Sequence, residues 1–422
     1  MPSATPVRRR RSAQLPWGAT LRLAWRNVLR HTGRSLSSLG AIAFGVMALI
    51  VSEGFVQDIL IQLGEAIIHS QSGHVQVART GFFENGAQQP ERFLMAEPEA
   101  DKKRIAALPA VKDVMARVNF AGLLNNGRTD LSIVGEGIEP DKERAMGTFL
   151  KVVAGRSLHD KDEFGILLGA GVAKALKLAP GDRTMLLIST ADGATNGEEF
   201  QVVGIFKSFS KDYDNRAVKV PLSAARKLLN TEGANTLVVS LKRTQDTASV
   251  ARVLTERTAW RDQTVRTWID LNDFYPKSVE MYRAQFGALQ AIVLLMVVLS
   301  VVNAVNTTVF ERAGEFGTSR ALGSRSLDVF RLIMLESLIL GLLGSGAGVL
   351  LGLLAAWIVG MVGIPMPPPP NSDLTYTAYI TVFPDALAAS FSVGVGATLL
   401  ACVVPAFRVS RMHIAMALRQ SV

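Results

Sequence analysis

The sequence predicts an α-helical integral membrane protein with four transmembrane helices and a large mixed α/β extracytoplasmic domain between helices one and two. The composition is 49% hydrophobic and only 19% charged, which is unusual for a soluble protein of 422 residues. Four runs without any charged side chain approach or exceed the roughly 20 residues that cross a hydrocarbon core. Buried helices of soluble proteins are rarely so long. The runs are Leu36–Ser52, Ala284–Phe310, Ser337–Ser372 and Ala386–Phe407.

Alternation of charged and apolar stretches divides the chain into consecutive segments. These are a basic cytoplasmic tail (1–17), an interfacial amphipathic helix (18–34), the first transmembrane helix (35–61), the α/β domain (62–276), a stalk continuing into the second transmembrane helix (277–310), a cytoplasmic loop with a short helix (311–328), the third transmembrane helix (329–362), a Pro-rich extracytoplasmic loop (363–380), the fourth transmembrane helix (381–407) and a cytoplasmic C-terminal tail (408–422).

The distribution of arginine predicts the orientation. Eight arginines and no acidic residue precede the first run, and Arg312, Arg320 and Arg325 lie between the second and third runs. The connection 363–376 after the third run has neither Lys nor Arg. Because basic flanks mark the cytoplasmic side, both termini and the 311–328 loop are expected inside and the α/β domain outside. The net charge of +9 then reflects topology and anionic lipid rather than a nucleic-acid surface.

The segment before the first run has two helical registers. Leu21, Trp25 and Leu29 recur every four residues, and a row of arginines from Arg22 to Arg34 recurs with the same spacing on another face. An interfacial helix has this pattern, whereas a basic tail would explain the charge but not the two registers. A signal peptide is not favoured, because the apolar run begins late and lacks a small-x-small cleavage site.

The extracytoplasmic segment mixes strand and helix patterns. Strands are predicted at 72–78, 111–125, 129–138, 198–206 and 234–242, helices at 99–109, 167–178 and 247–258, and turns at 125–127 and 180–182. In the third transmembrane helix, Gly344, Gly348 and Gly352 permit close helix packing. Glu336 near its start is interpreted as a snorkelling end residue rather than a polar contact inside the bundle.

Motifs for chemistry are missing from the chain. It has no G-x-x-x-x-G-K-[ST] phosphate loop and no G-x-S-x-G elbow. His69 and His74 are neighbours without a third ligand in view, and Cys402 is the single cysteine. We therefore predict no catalytic residue, no metal site and no cofactor in this chain.

The stretch ERAGEFGTSRALG (311–323) interrupts the apolar runs with a possible short helix. Arg312, Phe316 and Arg320 share one face, and Gly323 is placed to end the helix in the left-handed conformation. Ser324 or Ser326 is expected to cap the helix that follows. Spacing alone leaves open whether this segment docks into another protein or is a solvated loop.

Residues 303–352, which include this stretch, resemble the signature of MacB/FtsX-type (type VII) ABC transporter permeases. PAFRVSRMHIAMALR (405–419) and AWRNVLRHTGR (24–34) are similar to the ending and the beginning of the same family. GHVQV (73–77), GIEPDKE (137–143) and MPPPP (366–370) look more like its lipoprotein-releasing LolC/LolE branch.

The resemblance implies that 311–323 is a coupling helix seated in a separate ATPase subunit. The coupling residues would be Glu311, Arg312, Glu315, Phe316, Gly317, Arg320, Ala321, Leu322 and Gly323. ATP and Mg would be held by two copies of that ATPase, and a second permease copy or a paralogue would complete the assembly in the bacterial inner membrane. ATP-driven motion would reach the periplasmic domain without substrate crossing the bilayer, an action called mechanotransmission.

Three functions remain open under this resemblance. The first is extraction of lipoproteins from the outer leaflet for a periplasmic carrier, and the second is export of a drug, peptide or lipid with a periplasmic adaptor. The third is regulation of a cell-wall hydrolase. For extraction, acyl chains would need an apolar groove at the outer ends of the first two spans. Its candidate residues are Val51, Phe55, Ile59, Phe286, Leu289 and Val293.

Overall fold

The computed structural model describes residues 17–30, 32–86, 89–146, 150–190, 194–208, 210–258, 262–321, 323–367 and 375–411. The chain forms two compact units. One, called here the helical unit, comprises 1–59, 280–364 and 378–422, and the other, the sheet unit, comprises 60–279 and 365–377. The predicted N-terminal tail, most of the C-terminal tail and prolines 368–370 lie outside the described residues.

The helices are numbered in chain order. They are α1 (Trp17–Arg30), α2 (Thr32–Ile67), α3 (Phe82–Asn85), α4 (Pro98–Ala106), α5 (Pro140–Met146), α6 (Ala170–Leu176), α7 (Lys211–Asp214), α8 (Leu222–Leu229), α9 (Thr247–Thr258), α10 (Phe274–Glu311), α11 (Ala313–Ala321), α12 (Ser326–Val362) and α13 (Pro384–Ser410). A π-helical turn, Ile68–Ser72, follows α2 directly, and 3₁₀ turns occupy Pro90–Phe93 and Thr244–Asp246.

The strands are also numbered in chain order. They are β1 (Val75–Arg79), β2 (Val111–Asn125), β3 (Asp130–Ile138), β4 (Lys151–Gly155), β5 (Gly165–Gly169), β6 (Arg183–Ser189), β7 (Thr195–Lys207), β8 (Ala217–Pro221), β9 (Thr236–Leu241), β10 (Gln263–Thr267), β11 (Ile364–Met366) and β12 (Tyr376–Ala378).

Four helices, α2, α10, α12 and α13, are long and apolar enough to cross a membrane. Their bounds differ from the sequence expectation at the polar ends. The interfacial helix was predicted over 18–34; α1 covers Trp17–Arg30 and α2 begins at Thr32, with residue 31 outside the described residues. The helix α10 begins at Phe274, three residues before the predicted stalk, and α13 begins at Pro384, where proline suits the first helical turn.

The glycine row of α12 lies against α2. A Cβ atom at Gly344 would stand 2.8 Å from Ile42, one at Gly348 would stand 2.7 Å from the Ala43 carbonyl oxygen, and one at Gly352 would stand 3.1 Å from Ile50. The two helices therefore approach more closely than larger side chains would allow.

The sheet unit contains one ten-stranded mixed sheet in the order β10-β1-β9-β2-β3-β8-β5-β7-β4, with β6 pairing β2 and β7. Strand β2 links the two parts of this sheet. Its first half, from Val111 to Arg117, pairs with β9, and its second half, from Val118 to Asn125, pairs with β3. Alternate β-branched and aromatic side chains of these strands face helices α4, α6, α8 and α9 and form the main core of the unit.

Four of the charged side chains buried in the sheet unit form one cluster. Arg117 Nη2 is 2.6 Å from Glu143 Oε1, and Lys219 Nζ lies 2.9 Å from Glu136 Oε2 and 3.0 Å from Glu143 Oε1. Burial opposes ionisation of Glu136, but Lys219 and Arg117 outweigh it and lower its pKa to about 2. Two cations and two anions thus neutralise each other, as buried charges require.

Several sequence expectations for this unit were wrong in detail. Residues 167–178 were predicted as one helix, but Gly165–Gly169 is a fully buried strand and only Ala170–Leu176 is helical. A short apolar run does not distinguish a buried strand from a helix, which explains the error. Strands β4, β6, β8 and β10 were also missed, whereas β2 has the predicted bounds.

Candidate functional site

The helix α11 lies in the predicted coupling segment, and its inner face is buried by its own chain. Phe316 is 5% exposed and packs against Val329 and Ile333 of α12 and against Cys402 and Ala406 of α13. The segment is therefore fixed to two long helices of the helical unit rather than suspended as a loop.

Arg312 joins the same segment to α12. Its Nη1 atom donates to both carboxylate oxygens of Glu336, at 2.9 and 3.1 Å, and its Nε donates to Glu315 at 3.0 Å. Asn27 of α1 donates to Glu336 Oε1 at 2.6 Å. Arg312 and Glu336 are 5% and 8% exposed. The interpretation of Glu336 as a snorkelling end residue was wrong, because its carboxylate accepts hydrogen bonds from Arg312 and Asn27 within the bundle.

The C-terminal end of α11 adopts the expected glycine stop. Gly323 has a φ of +105°, its N–H donates to the Arg320 carbonyl, and the Ser324 N–H donates to the Ser319 carbonyl. This is the hydrogen-bond pattern of a Schellman cap. The serine cap expected for α12 was wrong, since Arg325 occupies that position and its N–H donates to Asp328 at 3.0 Å.

The exposed residues of the predicted coupling set lie on α11 and next to its two ends. Glu311, Glu315, Ala321 and Gly323 are exposed and Arg320 is half-buried. Arg312, Phe316 and Gly317 are buried, so they are not on the surface that an unaltered segment could present to a partner. Leu322 lies outside the described residues. Four-residue spacing correctly puts Arg312 and Phe316 on one face, but it cannot indicate that this face points inward.

The six candidate groove residues are not among the walls of the cavity that lies between α2, α10 and α13. The Phe55 and Phe286 rings lie 6.3 Å apart, Ile59 is 6% exposed, and Leu289 is 48% exposed. That cavity has a volume of about 720 Å³. Its walls are Leu49, Glu53, Gln57, Gln290, Ala291, Leu294, Phe383, Asp385, Ala386, Ala389, Ser390 and Val393.

Glu53 is the polar centre of this cavity. Its carboxylate accepts hydrogen bonds from Gln57 Nε2 and Gln290 Nε2, both at 3.1 Å. Sequence reasoning missed it, although a signal existed: Glu53 is the first charge after the run Leu36–Ser52, and Gln57 follows one helical turn later. The arrangement offers apolar walls with a small number of convergent polar groups, as ligand cavities do.

The histidine pair of the sheet unit is not arranged around a metal. His69 Nε2 lies 3.1 Å from Glu65, while His74 Nδ1 accepts from the Leu241 N–H and His74 Nε2 lies 3.2 Å from Thr244 Oγ1. Among the described residues, no group of three or more His, Cys, Asp or Glu side chains could hold a metal ion.

Comparison with known proteins identifies the class to which this architecture belongs. Residues 35–257 match the MacB-like periplasmic core domain, and residues 287–414 match the FtsX-like permease C-terminal domain. The chain belongs to the MacB/FtsX family of ABC transporter permeases, which are non-enzymatic membrane subunits that work with an ATPase.

Its relatives include lipoprotein-releasing and export proteins. The chain is 26% identical to the lipoprotein-releasing system transmembrane protein LolC of Neisseria meningitidis, over 91% of this chain and 94% of that protein. It is 24% identical to LolE of Haemophilus influenzae, over 61% of this chain and 66% of the relative. It is 22% identical to the macrolide export ATP-binding/permease protein MacB of Hyphomonas neptunium, over 93% of this chain and 59% of the relative.

Proposed function

We propose that this permease extracts lipoproteins from the outer leaflet of a bacterial inner membrane, driven by ATP hydrolysis in a separate ATPase. The similarity to LolC carries the proposal, because it extends over 91% of this chain and thus over both units. The cavity beside Glu53 supports it, since about 720 Å³ bounded by Leu49 and Leu294 can accept acyl chains.

The proposed topology has both termini and α11 in the cytoplasm and the sheet unit in the periplasm. It rests on the arginines that flank the long helices and on the uncharged or acidic 363–376 connection. Two ATPase subunits would hold ATP and Mg, and a second permease, identical or paralogous, would complete the membrane part. A periplasmic carrier would receive the released lipoprotein.

Force would enter through the exposed edge of α11. Since Phe316 packs on α12 and α13 and Arg312 holds Glu336, a displacement of α11 would be transmitted to two membrane helices. Helix α12 in turn packs on α2 through its glycine row, and α2 also lines the cavity. A continuous set of close contacts thus connects the docking edge with the candidate substrate site.

Site-specific cross-linking tests the substrate. Photoreactive residues at Leu49 and Leu294, inside the cavity, are expected to capture lipoprotein in cells, and ATP turnover should reduce the yield. Leu400 is the matched control, because it is an apolar α13 residue that is 75% exposed and does not line the cavity. Phe55 and Phe286 test the groove first expected from the sequence. Equal capture at Leu400 and Leu49, or no capture at any of them, would contradict lipoprotein extraction by this cavity.

Export with a periplasmic adaptor is the second candidate, and the 22% identity with MacB over 93% of this chain supports it. Depletion of the permease from cells distinguishes the two functions. Loss of an exporter should sensitise cells to its substrate and leave lipoproteins correctly sorted. Loss of a lipoprotein-releasing permease should instead retain outer-membrane lipoproteins in the inner membrane.

A further inference from the structure

Within the part of the chain that the structure describes, the helix α1 contacts the rest of the helical unit along one face. Ala24 and Val28, 0% and 8% exposed, pack on Ile339 of α12, with Leu332, Leu335 and Leu340 beside them. Asn27 lies next to this face and supplies the hydrogen bond to Glu336. The remaining circumference of α1 is open as far as the described ranges of the chain extend.

The open circumference has an apolar stripe bordered by a basic one. Trp17, Leu21, Trp25 and Leu29 are 66%, 52%, 47% and 58% exposed. Arg22, Arg26 and Arg30 are exposed on the adjoining stripe and have no carboxylate partner among the described residues. Trp17 additionally lies under the Arg331 guanidinium of α12, 5.2 Å away.

A lipid leaflet with anionic headgroups fits these two stripes. Apolar side chains with tryptophans suit the acyl–headgroup boundary, and adjacent arginines are attracted to an anionic surface. Continuity with α2, which starts two residues after α1 ends and is apolar enough to cross a membrane, places α1 beside such a surface. A basic face intended for a soluble partner would not need four exposed apolar side chains next to it.

The helices α1 and α11 are connected through one buried carboxylate, that of Glu336. Glu336 accepts from Asn27 of α1 and from Arg312, which adjoins α11 and also binds Glu315. A cleft of about 210 Å³ borders this contact and is lined by Leu23 and Asn27 of α1 and by Glu315 and Phe316 of α11. A displacement of α1 toward this cleft would act directly on the hydrogen bonds of Glu336.

We propose that α1 binds anionic lipid on the cytoplasmic leaflet and, through the Asn27–Glu336–Arg312 contact, sets the position of α11, so that coupled ATP hydrolysis depends on lipid charge. The inference rests on the proposed function, since it assumes that α11 docks on the ATPase. Asn27 is the positioning residue, and Arg22, Arg26 and Arg30 are the lipid-binding residues.

The test uses the full complex with its ATPase in nanodiscs of phosphatidylcholine alone or with phosphatidylglycerol. The wild-type complex is expected to hydrolyse ATP several-fold faster with the anionic lipid. Changing Arg22, Arg26 and Arg30 together to Gln should remove this dependence, whereas changing them to Lys should retain it. Asn27→Leu should still bind phosphatidylglycerol vesicles but lose the dependence, because the link to Glu336 is gone.

Hydrogen–deuterium exchange provides a readout that does not require hydrolysis. Exchange of amides 313–321 should differ between the two lipids in the wild-type chain and be equal in Asn27→Leu. Equal hydrolysis and equal exchange in both lipids for the wild type would overturn the inference, as would cross-linking of Trp25 to the ATPase instead of lipid. Complete absence of ATPase stimulation in every lipid would contradict the proposed function and the inference with it.

Discussion

At the scale of single residues, Glu336 is the carboxylate on which three segments of the helical unit converge. It is 8% exposed and receives donors from Arg312 and Asn27. Removing one partner from a buried ion pair leaves an uncompensated charge, which costs more than the intact pair contributes. The effect of the Arg312–Glu336 pair on stability is therefore clearest when only one of the two residues is replaced.

Arg312→Ala is expected to lower the free energy of unfolding by about 3–5 kcal/mol, because it leaves Glu336 buried without its cation. Thermal unfolding of the full chain in detergent measures the change. Replacing Arg312 with Met and Glu336 with Leu together should recover most of the loss. Glu315→Ala is the control, since it removes the exposed partner of Arg312 and should cost less than about 1 kcal/mol. An equal loss in the double variant and in Arg312→Ala would contradict the explanation.

Glu315→Lys and Phe316→Ala should impair coupling by different routes. Glu315 lies on the exposed edge of α11, so Lys there should weaken ATPase association while leaving the melting temperature nearly unchanged. Phe316 fills a packed cluster, and its truncation should cost about 3–5 kcal/mol of stability before any effect on docking. Co-purification with the ATPase and unfolding of the isolated chain separate the two routes. A stable Phe316→Ala chain that fails only to bind the ATPase would show that Phe316 faces the partner.

At the scale of elements, a few residues determine how closely two helices pack and how a strand is held in the sheet. Gly348 admits the backbone of α2, while the neighbouring Gly346 has no atom within 4 Å of an added Cβ. Strand β1 is secured to β9 through the His74 ring, whose Nδ1 accepts from the Leu241 N–H.

Gly348→Leu is expected to separate α12 from α2 and to lower folded yield and melting temperature sharply. The cause is the 2.7 Å approach of an added Cβ to both the Ala43 carbonyl oxygen and the Val46 Cβ. Gly346→Leu introduces the same side chain on the same helix and should be tolerated. Similar melting temperatures for the two variants would refute the role of the glycine row.

Acidification should weaken the sheet unit through His74. Burial, with a smaller contribution from His69, lowers the pKa of His74 to about 4. The unfolded chain therefore binds a proton more readily than the folded chain between the ordinary histidine value of about 6.5 and about 4. Stability contributed by neutral His74 is present above about pH 6.5 and is lost as the pH falls toward 4. Unfolding of the full chain across this range should show the loss, and His74→Asn should reduce the slope; an unchanged slope would reject the assignment.

The long helices and the strand β2 could be predicted because their patterns extend over many residues. The direction in which α11 faces could not, since Arg312, Phe316 and Arg320 have the same spacing whether they face a partner or their own chain. The cavity escaped prediction for a related reason. Three helices distant in sequence form it, and only their packing shows that Glu53, Gln290 and Asp385 share a wall.

At the scale of the whole molecule, the chain combines a unit of long apolar helices with a sheet unit that contains a buried cluster of two cations and two anions. Both family matches include residues of both units, because 35–257 runs along α2 into the sheet unit and 287–414 includes 365–377. The helices α2 and α10 and the strands β11 and β12 each belong partly to both units.

Cysteine labelling tests the orientation of the chain. A cysteine at Ser319 should react with a membrane-impermeant maleimide only after the cytoplasmic side is opened, whereas one at Ser189 should react from outside in intact cells. The native Cys402 is 0% exposed and should give little background. Reaction of Ser319→Cys from outside would reverse the topology inferred from the arginines.

The position of Glu53 also links the cavity to bilayer thickness. The uncharged stretch from Leu36 to Ser52, at ~1.5 Å per residue, covers roughly 26 Å, a little less than the ~30 Å of an average hydrocarbon core. In a thin membrane Glu53 would then lie at the edge of the hydrocarbon core, and in a thick membrane it would lie within the core. Lipids with longer acyl chains should therefore exclude water from the opening of the cavity, and lipids with shorter chains should admit it. Hydrophobic mismatch is thus a variable that must be controlled when the protein is reconstituted.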